Sequence, residues 1–217
     1  MILNVYKPQG WTSTDVVRKI KYISGSKKVG HGGTLDPFAE GVLIIGTNKD
    51  TKSLTSITAM DKSYEAVLVL GASTDTLDHT GKIIQKKSIP NLNKNDITNV
   101  FRKLIGSSIQ TPPQFSAKKV NGVRSYKLAR QGKKVVHKPV PIHINSLDLL
   151  DFDKDTIRFS VSCSKGTYIR VLGSDIANLL NTVGYLKKLI RTAIGEFSCE
   201  QSKHISELEI KWKSIEI

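Results

Sequence analysis

Apolar residues cluster or alternate with polar ones in several short stretches of the chain, a pattern typical of β-strands. The clearest alternation lies near the C-terminal third, where Ile157, Phe159, Val161 and Cys163 fall on one face. Residues 2–6 and 42–46 are short apolar runs, and residues 64–71 form a longer run that is rich in Val and Leu. The predicted strands are therefore 2–6, 42–46, 64–71 and 156–164.

Other stretches carry apolar residues at helical spacing. Thr12 or Ser13 is predicted to cap a first helix, and the apolar residues of that helix share a face (Val16, Val17, Ile20, Ile23). Residues 96–105 and a segment from about Thr167, with Ile169, Leu172, Ile176 and Leu179, also predict helices. Residues 25–41 predict a long loop. Strands outnumber helices without a βαβ rhythm, so the fold class is α+β with a mixed, largely antiparallel central sheet.

The composition indicates a globular protein with a strong positive charge. The 217 residues include 33 Lys and Arg against 19 Asp and Glu, a formal charge of +14. Such a charge attracts polyanions, although a biased genome composition would also enrich Lys. The two cysteines form no CxxC pair, and no apolar run has the length of a signal peptide or a membrane span. We expect a protein of the reducing cytoplasm.

Residues 116–139, called here the basic segment, contain eight Lys or Arg residues and no acidic residue. This density of positive charge is suited to phosphate contacts and to salt-dependent binding of nucleic acid. The alternative is a solvated charged surface. The candidate contacts to an RNA backbone are Lys118, Lys119, Lys133 and Lys134.

Asp36 lies directly before a proline in the glycine-rich stretch GHGGTLDPFAEGVL, residues 30–43. Glycines permit close backbone approach, and Pro37 restricts Asp36 to extended geometry, so together they can orient a carboxylate. The alternative is an ordinary turn residue. The stretch lacks the GxxxxGK[ST] pattern of nucleotide triphosphate binding.

Two further groups have residue types suited to chemistry. Arg170, in CSKGTYIRVL, is a candidate cation for a partly buried carboxylate, or else a surface residue. The segment TDTLDHTG contains Asp75, Asp78 and His79, which with His31 would be the candidate ligands of a metal-dependent phosphoesterase. Their spacing matches no known metal site, so hydrogen bonds within a loop joining two strands are favoured and no metal is expected.

Together these stretches resemble the TruB family of tRNA pseudouridine synthases. The resemblance extends over most of the chain and keeps the order of the family's motifs. The motifs are KPQGWTS (7–13), VGHGGTLDPFAEGVL (29–43), KSYEA (62–66), GASTDTLDHTG (71–81), PPQFSAKKVNGVRSYKLARQG (112–132), CSKGTYIR (163–170) and LIRTAIGEF (189–197).

The resemblance implies a role for each matching position. Asp36 corresponds to the catalytic aspartate, and Arg170 to the arginine that pairs with it. Tyr64 corresponds to the tyrosine that stacks on the flipped base, and His31 to the histidine that contacts the RNA loop. Tyr168 and Leu189 correspond to other residues of the uridine pocket. The chain departs from the family pattern at Gly32, at 38–40 and at Ile190, where many members carry Arg.

The resemblance further implies the pseudouridine synthase fold and an isomerase acting on uridine 55 in the TΨC loop of tRNA, as a monomer without a cofactor. We expect one catalytic domain, 1–217, with a short C-terminal extension at about 198–217 and no full PUA domain. Two alternatives stay open: a non-catalytic protein that binds or folds RNA on the same scaffold, and the metal-dependent RNA phosphoesterase.

Overall fold

A computed structural model describes residues 1–120, 122–133 and 135–213, and strands and helices are mixed along the whole chain. In chain order the elements are β1 (Ile2–Lys7), α1 (Ser13–Ser24), β2 (Val29–His31), β3 (Glu40–Thr47), a 3-10 helix (Asn48–Lys52), α2 (Leu54–Ala59), β4 (Lys62–Leu70), β5 (Ala72–Thr74), β6 (Ile83–Lys86), α3 (Lys94–Leu104), β7 (Gly106–Gln110), β8 (Lys119–Val120), β9 (Val123–Arg124), α4 (Ser125–Arg130), β10 (Val140–Phe152), β11 (Thr156–Cys163), α5 (Ile169–Leu179), β12 (Gly184–Ile194), β13 (Phe197–Ser198) and α6 (Ile205–Lys213).

The chain divides into two compact units. The first comprises Met1–Glu65 and the chain from Leu189 onward, and the second comprises Ala66–Lys188. The division falls inside β4 and inside β12. Each unit therefore contains part of these two strands in addition to its own elements.

In the first unit, β3 is the central strand. It pairs antiparallel with β1 and with β2, and parallel with the last part of β12. The register places Gly41 of β3 opposite both Lys7 of β1 and Arg191 of β12. Two cationic residues therefore flank one glycine in adjacent strands.

Helix α1 covers one face of this sheet because its apolar residues recur at helical spacing. Val16 and Ile20 are fully buried and pack with Val5, Leu43 and Ile45. The helix begins after Thr12, whose hydroxyl accepts from Asp15 N–H (3.1 Å), while the Asp15 carboxylate accepts from Thr12 N–H (2.9 Å). This reciprocal cap confirms the predicted start of the helix.

In the second unit, β10 lies between β7 and β11, and both pairings are antiparallel. Helix α3 packs on β10, and Phe101 of α3 meets Phe159 of β11 edge to face, with ring centroids 6.0 Å apart. Two hairpins, β5–β6 and β8–β9, form small sheets of their own. The mixed, largely antiparallel α+β architecture confirms the fold class predicted from the sequence.

Three details differ from the sequence-based expectations. The predicted loop 25–41 contains β2, which pairs with the end of β3. Helix α5 starts at Ile169, after a turn closed by a hydrogen bond from Thr167 Oγ1 to the Ser164 carbonyl (2.9 Å). Leu179, assigned to its apolar face, is 46% exposed at the last turn.

Candidate active site

The backbone around Asp36 is held by hydrogen bonds on both sides. Before it, Leu35 N–H donates to Ser13 Oγ (2.9 Å), and the same hydroxyl donates to the Leu35 carbonyl (3.1 Å). After it, Ala39 N–H donates to the Asp36 carbonyl (3.1 Å). Leu35, Phe38 and Ala39 are buried, whereas Asp36 is half-buried. The loop therefore presents one partly accessible carboxylate on a fixed backbone.

Lys7, fully buried at the end of β1, holds the residue that follows Asp36. Its Nζ donates to the carbonyls of Pro8 (2.9 Å), Trp11 (2.7 Å) and Pro37 (3.5 Å). Gly10 N–H donates to the same Pro37 carbonyl (2.8 Å). Burial lowers the pKa of Lys7 from 10.5 to about 8; the Asp36 charge opposes this lowering, and Arg191 adds to it.

Arg191 is also fully buried, and it reaches the loop from β12, which pairs with β3. Its Nε donates to the Val42 carbonyl (2.7 Å), Nη1 to the Thr34 carbonyl (3.3 Å) and Nη2 to the Gly33 carbonyl (3.1 Å). The strands approach closely here because Gly41 has no side chain and adopts a φ of 107°. A Cβ at Gly41 would collide with the Arg191 carbonyl.

Four of the site residues predicted from the sequence lie in the first unit. His31 ends β2 and is half-buried, five residues before Asp36 in the same loop region. Tyr64 of β4 and Leu189 of β12 are buried, with 8% and 4% of their surface exposed. The structure thus places His31 and Asp36 on one segment and Tyr64 and Leu189 on strands of the same unit.

Tyr168 and Arg170 lie at the start of α5 in the second unit. The Gln110 side chain brackets Tyr168, accepting from its N–H (2.7 Å) and donating to its carbonyl (3.2 Å). Arg170 is 3% exposed and donates to the carbonyls of Thr76 (2.7 Å) and Phe115 (2.8 Å). The alternative that Arg170 is an ordinary surface residue is wrong. Its pairing with Asp36 stays a prediction.

The acidic loop between β5 and β6 forms the hydrogen bonds that the sequence favoured. Asp78 is buried and accepts from Thr76 Oγ1 (2.8 Å) and from the N–H (3.0 Å) and Oγ1 (2.5 Å) of Thr80. Asp75 accepts from Lys82 N–H (2.8 Å). Asp78 also lies 3.7 Å from Arg170 Nη1, so this loop positions the arginine.

Uncharged side chains form several of the hydrogen bonds that fold the basic segment. The Gln114 side chain donates to the Val135 carbonyl (2.5 Å) and accepts from its N–H (2.8 Å). Ser125 Oγ donates to the Gln114 carbonyl (2.5 Å), so it accepts from His137 Nε2 (2.8 Å). Burial, with a smaller effect of Lys118, lowers the pKa of His137. Lys119 and Lys133 are exposed and Lys118 is half-buried, whereas Lys134 lies outside the described residues.

The described residues show neither a group of metal-ligating side chains nor a membrane-spanning helix. Within 1–120, 122–133 and 135–213, no three His, Cys, Asp or Glu side chains are grouped so that they could hold a metal ion. Over the same part of the chain, no helix has the length and apolar character needed to cross a membrane.

The sequence assigned no role in the site to Lys7, Ser13 or Arg191, although all three lie within the motifs that carry the resemblance. The available signal was periodicity. Lys7 lies on the same face of β1 as Val5, and Arg191 lies on the same face of β12 as Leu189. Both cations therefore occupy positions typical of buried residues.

Comparisons with known proteins identify the family of this chain. Residues 21–169 match the family model described as TruB family pseudouridylate synthase (N terminal domain). The chain is 42% identical over 207 residues to tRNA pseudouridine synthase B of Clostridium acetobutylicum, covering 95% of this chain and 71% of that protein. It is 38% identical over 221 residues to the Ureaplasma urealyticum protein of the same name, covering 99% and 94%.

Among solved structures, the chain is similar to one chain in the crystal structure of a Cbf5-Nop10-Gar1 complex, with a TM-score of 0.78 and 27% identity. That match covers all of this chain and 56% of the other, so this chain spans little more than half its length. The family model and the relatives confirm the resemblance seen in the sequence. The chain belongs to the TruB family of pseudouridylate synthases.

Proposed function

We propose that this chain is a tRNA pseudouridine synthase that isomerises uridine 55 in the TΨC loop. The observation that carries the proposal is the half-buried Asp36 on a backbone held by Ser13, Lys7 and Arg191. Such rigid placement suits a group that must meet one bond of a bound nucleoside. Relatives at about 40% identity named tRNA pseudouridine synthase B support the same reaction.

The reaction breaks the N1–C1′ bond, turns the base and joins C1′ to C5; the C5 proton leaves and N1 takes up a proton, so the product is an isomer of the substrate. Asp36 acts as nucleophile or as electrostatic partner, through C6 of the base or at C1′, and either route requires the ionised carboxylate. Arg170 corresponds to the arginine that pairs with this carboxylate in the family. No electron acceptor or group donor enters the balance, so the reaction requires no cofactor.

The target uridine must leave its stack, at a cost of a few kcal/mol. Tyr64 offsets part of this cost, since stacking of a base on an aromatic ring contributes about 1–3 kcal/mol. Tyr168 and Leu189 correspond to residues of the family's uridine pocket, and His31 corresponds to the histidine that contacts the RNA loop and helps hold the extruded nucleotide. These roles are proposed from the family motifs and are consistent with the burial of Tyr64 and Leu189.

The basic segment binds phosphates of the stem and loop through Lys118, Lys119, Lys133 and Lys134. Contacts of this kind set position and strengthen binding without reading sequence. The shape of the TΨC loop then selects the uridine. We further propose that the protein acts as a monomer in the cytoplasm.

The decisive experiment incubates an unmodified tRNA transcript with the protein in EDTA and maps pseudouridine. We expect one product at uridine 55, none with a transcript carrying cytidine there, and none with Asp36→Asn, which should still bind tRNA. Asp148→Asn is the matched control, because Asp148 is an exposed acid on β10. Wild-type rates with Asp36→Asn would remove Asp36 from the reaction. Cleaved RNA that disappears with EDTA would instead indicate the phosphoesterase.

A further inference from the structure

Arg191 has no assigned role in the bond-making and bond-breaking steps, yet it is the largest fully buried side chain of the described residues. Its three bonds all go to backbone carbonyls, and two of these belong to Gly33 and Thr34, just before Leu35 and Asp36. Burying a guanidinium is costly unless its donors are satisfied. The loop carbonyls therefore satisfy donors of the buried guanidinium, and these hydrogen bonds also hold the loop.

The bonds restrain consecutive peptide groups leading to Asp36. The Gly33 and Thr34 carbonyls belong to peptides 33–34 and 34–35, and both accept from Arg191. Ser13 then holds the Leu35 N–H and the Leu35 carbonyl, which belong to peptides 34–35 and 35–36. The Asp36 carbonyl accepts from Ala39 N–H. These bonds restrain the peptide groups on both sides of the Asp36 Cα.

The contact depends on the planar fork of arginine. Nε holds β3 through Val42, while the two terminal nitrogens hold the loop through Thr34 and Gly33. A lysine carries the same charge at a single nitrogen and cannot bridge strand and loop in this way. The arginine thus links the position of the loop to that of the central strand.

We propose that Arg191 is a positioning residue for catalysis, which orients the Asp36 carboxylate by holding the carbonyls of Gly33 and Thr34. The proposal rests on the proposed pseudouridine synthase activity. Two variants separate geometry from charge: Arg191→Lys keeps the cation and loses the fork, and Arg191→Met keeps only an unbranched apolar stem and loses both.

The test measures single-turnover formation of pseudouridine at saturating tRNA, together with the tRNA Kd and the unfolding midpoint. We expect Arg191→Lys to slow the single-turnover step about 10- to 100-fold, the range for a small misplacement of a catalytic group. The Kd should stay within about twofold of the wild-type value. If Arg191→Met does not fold, Arg191→Lys carries the test, because it preserves the charge and most of the volume.

Leu208→Ala is the control for lost stability, since Leu208 of α6 is buried in the core that also contains Val16 and Ile20 of α1. It should lower the unfolding midpoint and leave the single-turnover rate of the folded protein unchanged. A wild-type rate for Arg191→Lys, a loss explained by weaker tRNA binding, or an equal loss in Leu208→Ala would each overturn the proposal. Failure of the wild-type protein to form pseudouridine would overturn the proposed function instead.

Discussion

Replacement of Lys7 by Met tests the electrostatics beneath the Asp36 loop. Lys7 is fully buried, and its pKa is lowered from 10.5 to about 8, chiefly by burial. The folded protein therefore loses this proton near pH 8, whereas the unfolded chain keeps it until about pH 10.5. Met has a similar length and no titrating group, so the variant removes this one titration and keeps most of the packing.

The direction in which the free energy of unfolding changes with pH follows from proton binding in the folded and unfolded states. Between about pH 8 and 10.5 the unfolded state holds more protons than the folded state, so the wild-type free energy of unfolding rises with pH. At about 1.4 kcal/mol per pKa unit, the lowering to about 8 corresponds to about 3 kcal/mol over this window. Other groups titrate in both proteins, so the informative quantity is the difference between wild type and Lys7→Met.

Urea unfolding of both proteins at pH 7.5, 9 and 10 measures that difference. We expect it to shift by about 2 kcal/mol in favour of wild type across this range. The single-turnover rate of the wild-type protein should instead fall as the pH rises over this range. A neutral Lys7 amine has too few protons to hold the carbonyls of Pro8, Trp11 and Pro37 together. A stability difference that stays constant from pH 7.5 to 10 would refute the lowered pKa of Lys7.

Three further changes have expected outcomes. Replacing Lys118, Lys119, Lys133 and Lys134 by Ala should weaken tRNA binding and reduce the slope of log Kd against log salt, and an unchanged slope would exclude these lysines from the interface. Asp78→Ala removes one partner of the buried contact with Arg170 and should cost about 3–5 kcal/mol in urea unfolding, whereas a loss under 1 kcal/mol would mean the pair is unimportant. Gly41→Ala should lower the unfolding midpoint more than Gly122→Ala, which has a similar positive φ but open space around it; equal losses would show that the clash with Arg191 is absent.

The elements that the sequence predicted well are those whose signals are local. Helix α1 begins after Thr12 because the cap involves Thr12 and Asp15 alone. Strand β11 follows an alternation that needs no partner to be recognised. Strand β2 was missed inside the loop 25–41, since its three residues become a strand only by pairing with β3.

The candidate site divides in the same way. Asp36 and Arg170 could be selected from motifs, because their residue types already indicate chemistry. Lys7 and Arg191 could not be assigned, because their partners are backbone carbonyls and carbonyls leave no mark on a sequence. The register that brings both cations beside Gly41 is a property of the folded sheet.

The geometry of the Asp36 loop is therefore a property of the first unit as a whole. Its restraints come from β1 through Lys7, from α1 through Ser13 and from β12 through Arg191, elements that lie far apart in sequence. The glycines and Pro37 allow the loop its path, but they do not hold it. It follows that removing any of these three hydrogen-bonding side chains should affect the chemical step before it affects tRNA binding, for which the proposed contacts are in the basic segment of the other unit.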